Sequence, residues 1–97
     1  MVTLLIHHRV ADYDAWRPVY DRVTSGPMGE RVRSHQILRG MDDPNLVVIV
    51  ETYDSREDAE WSINHPDLPA VLVESGVDMD SVRLDYLEEV GAGISHA

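Results

Sequence analysis

Histidine supplies most of the chemistry open to this 97-residue chain, which has five histidines, no cysteine and no lysine. Without cysteine there are no disulfides, thiolate nucleophiles or thiolate metal sites. All eight basic residues are arginine, which removes Schiff-base chemistry and a P-loop lysine. No Gly-x-Ser-x-Gly elbow occurs, and Gly26-Pro27-Met28-Gly29 is not a phosphate loop. No two histidines or carboxylates have the spacing of metal ligands, and Glu57, Asp58 and Glu60 read as one solvated helix face. No metal is therefore expected. What remains is imidazole near its neutral pKa acting as a general base. The candidates are His8, where an apolar run ends, and His35, in a mixed polar and apolar stretch. Each has a plainer reading: a buried neutral imidazole bonded to backbone for His8, and a half-exposed edge-strand residue for His35. His65, before Pro66, reads as a boundary residue, and His96 as part of the tail.

Large aromatic rings are the second chemical resource. Phenylalanine is absent, so a flat ligand would have to stack on tryptophan or tyrosine. Tyr53 and Trp61 flank the start of a helix and, with Tyr86 and Trp16, are the candidate substrate-binding rings. Trp16 and Tyr20 also share a stripe at helical spacing with Tyr13 and Val23, which is the pattern of a core.

The elements that must position these residues follow from periodicity and punctuation. Val2 to Val10 reads as a strand, with Leu4, Leu5 and Ile6 asking for burial on both faces. His7 and His8 then point to opposite faces and cannot share a metal ion. A helix begins with Asp12 or Asp14 as its cap; Pro18 would lie inside it in the first case and near the end of its first turn, a milder position, in the second. The stretch from Thr24 to Gly29 breaks that helix. Residues 32 to 39 suggest an edge strand, Gly40 to Asn45 a hairpin connection, and Leu46 to Thr52 a second strand apolar on both faces. Ser55-Arg56-Glu57-Asp58 resembles a capping box and opens a helix that His65-Pro66 ends. Asp67 is expected to cap a further helical piece that stops at Gly76, and a last strand is expected over residues 81 to 90.

Strand, helix, strand, strand, helix in two pieces, strand is the ferredoxin-like βαββαβ order of an α+β domain with a four-stranded antiparallel sheet. Strands one and three are then central, which agrees with their doubly apolar character. If strand three lies between the other two, His8 and His35 are two strand spacings apart, roughly 10 Å, and could hold opposite sides of a substrate. Helices cover only one face of such a sheet. The other face would be an apolar patch larger than monomers tolerate, so a sheet-to-sheet homodimer is expected. Residues 1–90 form one domain and residues 91–97 a mobile tail. The formal net charge of −10 argues against nucleic acid or an anionic membrane as partner. No apolar run is long enough for a membrane span. The first ten residues lack a signal peptide's basic start, so a cytoplasmic protein is expected.

The runs Val10-Ala11-Asp12-Tyr13-Asp14-Ala15-Trp16, Asp42-Asp43-Pro44-Asn45, Tyr53-Asp54-Ser55, Pro66-x-Leu68 and Ser75-Gly76-Val77 resemble the dimeric α+β barrel superfamily. Within it the chain is most similar to antibiotic-biosynthesis-monooxygenase-like and polyketide-cyclase-like bacterial proteins. The resemblance spans residues 2 to about 90. It implies a pocket between sheet and helices in each subunit and a cofactor-free cyclase, isomerase or monooxygenase acting on a polyketide-like or aromatic molecule by proton abstraction. The alternative is a non-catalytic small-molecule binder or accessory dimerisation module. In the quinone-forming monooxygenases of the superfamily an asparagine and a tryptophan end the third strand; the matching positions here are Glu51 and Tyr53. A carboxylate there would hinder a developing anion, which favours cyclisation or isomerisation over oxygenation.

Overall fold

A computed structural model describes residues 1–95. Four strands, β1 (Val2–Val10), β2 (Ser34–Arg39), β3 (Leu46–Tyr53) and β4 (Val77–Glu88), form one antiparallel sheet in the order β2-β3-β1-β4. The two strands with consecutive apolar residues are the central ones. Helices α1 (Tyr13–Thr24), α2 (Arg56–Ile63) and α3 (Leu68–Glu74) complete the βαββαβ order, with α2 and α3 as two pieces of one crossover.

Pairing of Leu4 with Glu51, Ile6 with Ile49 and His8 with Val47 puts the even residues of β1 and the odd residues of β3 on one face. That face meets the helices. Trp16 of α1 packs on Val10, Val47 and Ile49, and Ala59 of α2 packs on Leu4 and Tyr53. The opposite face carries Leu5, Val48 and Val50 at its centre, all half-buried. Gln36, Leu38, Arg83, Asp85 and Leu87 surround them on the two edge strands.

The helix termini follow local chemistry. Asp12 caps α1, its carboxylate accepting from the Asp14 amide at 3.1 Å, so Pro18 lies inside the helix. Ser55 accepts from the Asp58 amide at 3.1 Å and opens α2. Asp67 does not cap α3 with its side chain. Its backbone is already helical (φ −84°, ψ −11°), and its amide donates to His65 Nδ1 at 3.1 Å. Gly76 turns the chain out of α3 at φ +75°, a left-handed conformation that favours glycine. β4 starts at Val77, earlier than residue 81, because a register shift in its pairing between His7 and Arg9 lets Val77 and Asp78 pair with Val10 and Arg9. Residues 91–95 carry no regular structure; His96 and the end of the expected tail lie outside the described residues. Among the described residues no helix is long and apolar enough to cross a membrane.

Candidate functional site

Between the helices and the sheet lies a cavity of about 300 Å³. The sheet contributes Ile6, His8, Ile49, Glu51 and Tyr53 to its walls, and the helices close it with residues such as Trp16, Tyr20, Ser62 and Val71. Gly29, in the single 3₁₀ turn Pro27–Gly29, forms part of the lining beside the end of α1. A Cβ at Gly29 would overlap the backbone of Thr24, so only glycine lets the loop lie this close. Met79 and Leu84, on or near the β4 edge, line the cavity yet are 57% and 36% exposed, which marks its mouth.

His8 stands at one end. It is 3% exposed, and its Nδ1 donates to the Val47 carbonyl oxygen at 2.9 Å. That bond selects the Nδ1–H tautomer and leaves Nε2 as an acceptor. Nε2 has no hydrogen-bond partner among the described residues. Burial pushes the imidazole below its ordinary pKa of 6.5, against an opposing pull from the backbone bond, so the ring is held as the free base. His8 is bonded to backbone through Nδ1, as the plainer sequence-based reading has it, and its side chain is also part of the cavity lining. Trp16 meets the ring edge-on, with centroids 5.7 Å apart.

Glu51 marks the other end, opposite Leu4 and therefore four residues, roughly 13 Å, along the sheet from His8. It is 6% exposed. Tyr20 donates to its Oε2 at 2.6 Å and Tyr53 to its Oε1 at 2.8 Å. A buried carboxylate needs such partners. Burial and the neighbouring Glu51 charge hold both phenols far above their usual pKa. Beside them Ser62 Oγ is buried with no hydrogen-bond partner. Among the described residues no arginine lines the cavity, and no cluster of three or more potential metal ligands occurs.

The other candidate residues fall differently. Trp16 and Tyr53 are in the cavity wall. His35 is not. Its strand is two removed from β1, as expected, but it pairs with Glu51 and not with Val47, so it is also displaced along the sheet. It is exposed and meets the edge of Tyr20 at 5.7 Å. His8, Trp16, Tyr20 and His35 thus form a row of rings, Trp16 and Tyr20 stacked at 5.0 Å, with His35 at its outer end. Trp61 lies outside the helix–sheet cavity, in the wall of a second and more open one of about 450 Å³, under the Arg31 guanidinium at 4.2 Å from its ring centre and against His65. Tyr86 packs against the Leu4–Tyr53–Ala59 cluster, with Arg56 over its outer face at 4.5 Å. Sequence reasoning assigned Tyr20 to the core and treated Glu51 only as a departure from a pattern. The sole signal for their pairing was an acidic residue inside an apolar strand.

Comparison with solved structures gives full-length matches. A mutant of SnoaB, a cofactor-independent oxygenase from Streptomyces nogalater, superposes with a TM-score of 0.73 at 17% identity, covering 94% of each chain. Rv0793 from Mycobacterium tuberculosis gives 0.70 at 17% identity, over 96% of this chain and 98% of its own. An antibiotic biosynthesis monooxygenase gives 0.69 at 12% identity, over 94% of this chain and 100% of its own. The fold is that of the antibiotic-biosynthesis-monooxygenase-like proteins. No family model and no curated protein matches the sequence. The likeness is therefore one of architecture, with the walls of the cavity supplied by this chain's own residues.

Proposed function

We propose that the chain is a cofactor-free enzyme that takes an aromatic or polyketide-like molecule into the helix–sheet cavity and starts its reaction by proton abstraction at His8. The observation that carries this reading is His8 itself. One nitrogen is fixed to the Val47 carbonyl and the other is unpartnered at a largely apolar cavity. A general base needs this: a defined tautomer, a free lone pair and the neutral form at pH 7. Trp16 meets the imidazole edge-on. The cavity volume matches the lower end of small-molecule sites, enough for two or three fused rings.

Glu51 decides where an anion can form. Beside its carboxylate, at about 4 Å, a developing negative charge would meet roughly 4 kcal/mol of repulsion at an effective dielectric of about 20; near His8, roughly 13 Å away, about 1 kcal/mol. The reacting group therefore belongs at the His8 end, and ring closure or isomerisation after deprotonation fits this site better than oxygenation near Glu51. His35 acts from outside, setting the position of Tyr20 through their ring contact. A sheet-to-sheet homodimer is part of the proposal, because the open face sets exposed Leu38 and Leu87 beside the half-buried Leu5, Val48 and Val50, an apolar area that a second copy would cover.

One observation favours binding without turnover: among the described residues no cation lines the cavity to stabilise an enolate. His8→Asn separates the two readings, since asparagine can keep the bond to Val47 but offers no base. Turnover of a substrate found by screening is expected to fall by about 10²–10⁴-fold, well beyond the roughly tenfold loss of affinity that removing one acceptor for the ligand would cause. Unchanged turnover in His8→Asn would overturn the catalytic reading.

A further inference from the structure

The polar groups of the cavity differ from one another in hydrogen-bonding sense. His8 Nε2 can only accept, because the ring proton is on Nδ1 and is committed to Val47. At the other end both Glu51 oxygens accept, and the two phenol protons that could have been offered to a ligand are already spent on them. A carboxylate has about four lone-pair sites, so after these two bonds Glu51 can still accept from a guest. Ser75, also in the wall, spends its proton on the Val71 and Leu72 carbonyl oxygens. The remaining polar groups on lining side chains are the Trp16 indole N–H, which only donates, and the hydroxyls of Thr24 and Ser62, which can turn to donate or accept. Ser62 Oγ, on a residue 93% buried, has no partner within strict hydrogen-bond geometry but lies close enough to act on the Tyr53 hydroxyl. Both ends of the cavity are thus acceptors, one of them a carboxylate, with no arginine in the lining.

We infer that the ligand is a flat, uncharged molecule carrying hydrogen-bond donors at both ends, one hydroxyl to His8 Nε2 and a second hydroxyl or amide N–H to Glu51, and that Glu51 excludes carboxylates. This rests on the reading of the cavity as a ligand site and adds the ligand's class and orientation to it. The hydroxyl at His8 is the one positioned to lose its proton; the one at Glu51 is a handle. A carboxylate placed in the cavity would lie beside a buried like charge with no cation to offset it, which is selection by repulsion. A molecule with acceptors alone would leave Nε2 and the Glu51 lone pairs facing acceptors, which is also unfavourable.

Four naphthalene probes of matched size test this by calorimetry on the intact chain: the diol with hydroxyls at its two far ends, its dimethyl ether, the hydroxy carboxylic acid and the hydroxy carboxamide. The diol and the carboxamide are expected to bind at least about tenfold tighter than the ether and the acid. In Glu51→Gln the acid is expected to gain about tenfold, because the like charge is gone and an N–H donor has replaced it. Equal binding of diol, ether and acid to the wild-type protein would overturn the inference while leaving the cavity a ligand site. Absence of binding by all four would overturn the ligand-site reading and the inference together. The wild-type ranking decides the matter even where Glu51→Gln does not fold.

Discussion

Leu4 and Leu5 are neighbours in the chain and the same residue type, yet they belong to different regions. Leu4 is fully buried under α2, against Tyr53 and Ala59; Leu5 is half-buried at the centre of the open face, beside Val50. The helix-side face has buried apolar residues with a few polar groups set among them, and nearly every one of those groups has a defined partner. The open face has Leu5, Val48 and Val50 at its centre with His7 beside them, one rung ending in Gln36 and Asp85 and the next in Leu38 and Arg83. One face holds the fold together and builds a chamber. The other has the makings of a contact with a second copy. Alternation in a single strand assigns the two tasks.

The largest effect separating the two faces is expected from Leu4→Ala, at about 2–5 kcal/mol of stability. Leu5→Ala is expected to cost less, about 1 kcal/mol. Its cost should grow with protein concentration if the open face is an interface. Urea denaturation at two concentrations measures both, and equal, concentration-independent losses would erase the distinction. Val50→Arg sharpens it further. The mass from light scattering is expected to fall from dimer to monomer with the circular dichroism spectrum unchanged, because Val50 points away from the cavity and the helix-side core.

Alkaline titration probes the chamber alone. Tyr20 and Tyr53 have pKa values raised above the usual 10.0, so folding favours their protonated forms. That contribution is complete below pH 10 and is lost as pH rises beyond it, since the unfolded chain ionises first. Their phenolate absorbance is expected to appear only with unfolding. Tyr53→Phe, which also loses one bond to Glu51, should shift that transition. The effect of His8 is smaller and opposite in direction. Its lowered pKa means that the unfolded chain binds the proton more readily, so stability is fully present above pH 6.5 and declines as pH falls below it. His8→Asn is expected to flatten that decline in thermal melts between pH 7 and 5.

Much of the architecture was legible in the sequence because its signals are local. Consecutive apolar residues in β1 and β3 marked the central strands, Ser55 announced α2, and His65-Pro66 separated the two crossover pieces. Asp67 misled, since a residue type suited to capping does so only with an extended backbone, and here the backbone is helical. The early start of β4 depends on a register shift against β1, which no pattern within β4 encodes. The candidate site was less legible because its pairings are long-range. Tyr20 and Glu51 are 31 residues apart; helical spacing placed the Tyr20 ring on the inner stripe but carries no information about what its hydroxyl meets. Trp61 and Tyr86 are turned from the cavity under arginines that lie 30 residues away from each ring, Arg31 and Arg56. His35 was correctly assigned to an edge strand, but its offset from His8 is a matter of β2–β3 register.

The account centres on a free His8 Nε2 that receives a donor from a bound ligand. A long-range proton–nitrogen correlation spectrum of the histidine rings, recorded with and without the naphthalene diol, tests this most directly. The expected result is a His8 ring protonated at Nδ1 in both states, with the Nε2 resonance alone shifting on binding. A bound diol that leaves His8 Nε2 unchanged, or a His8 ring already protonated at Nε2, would contradict it.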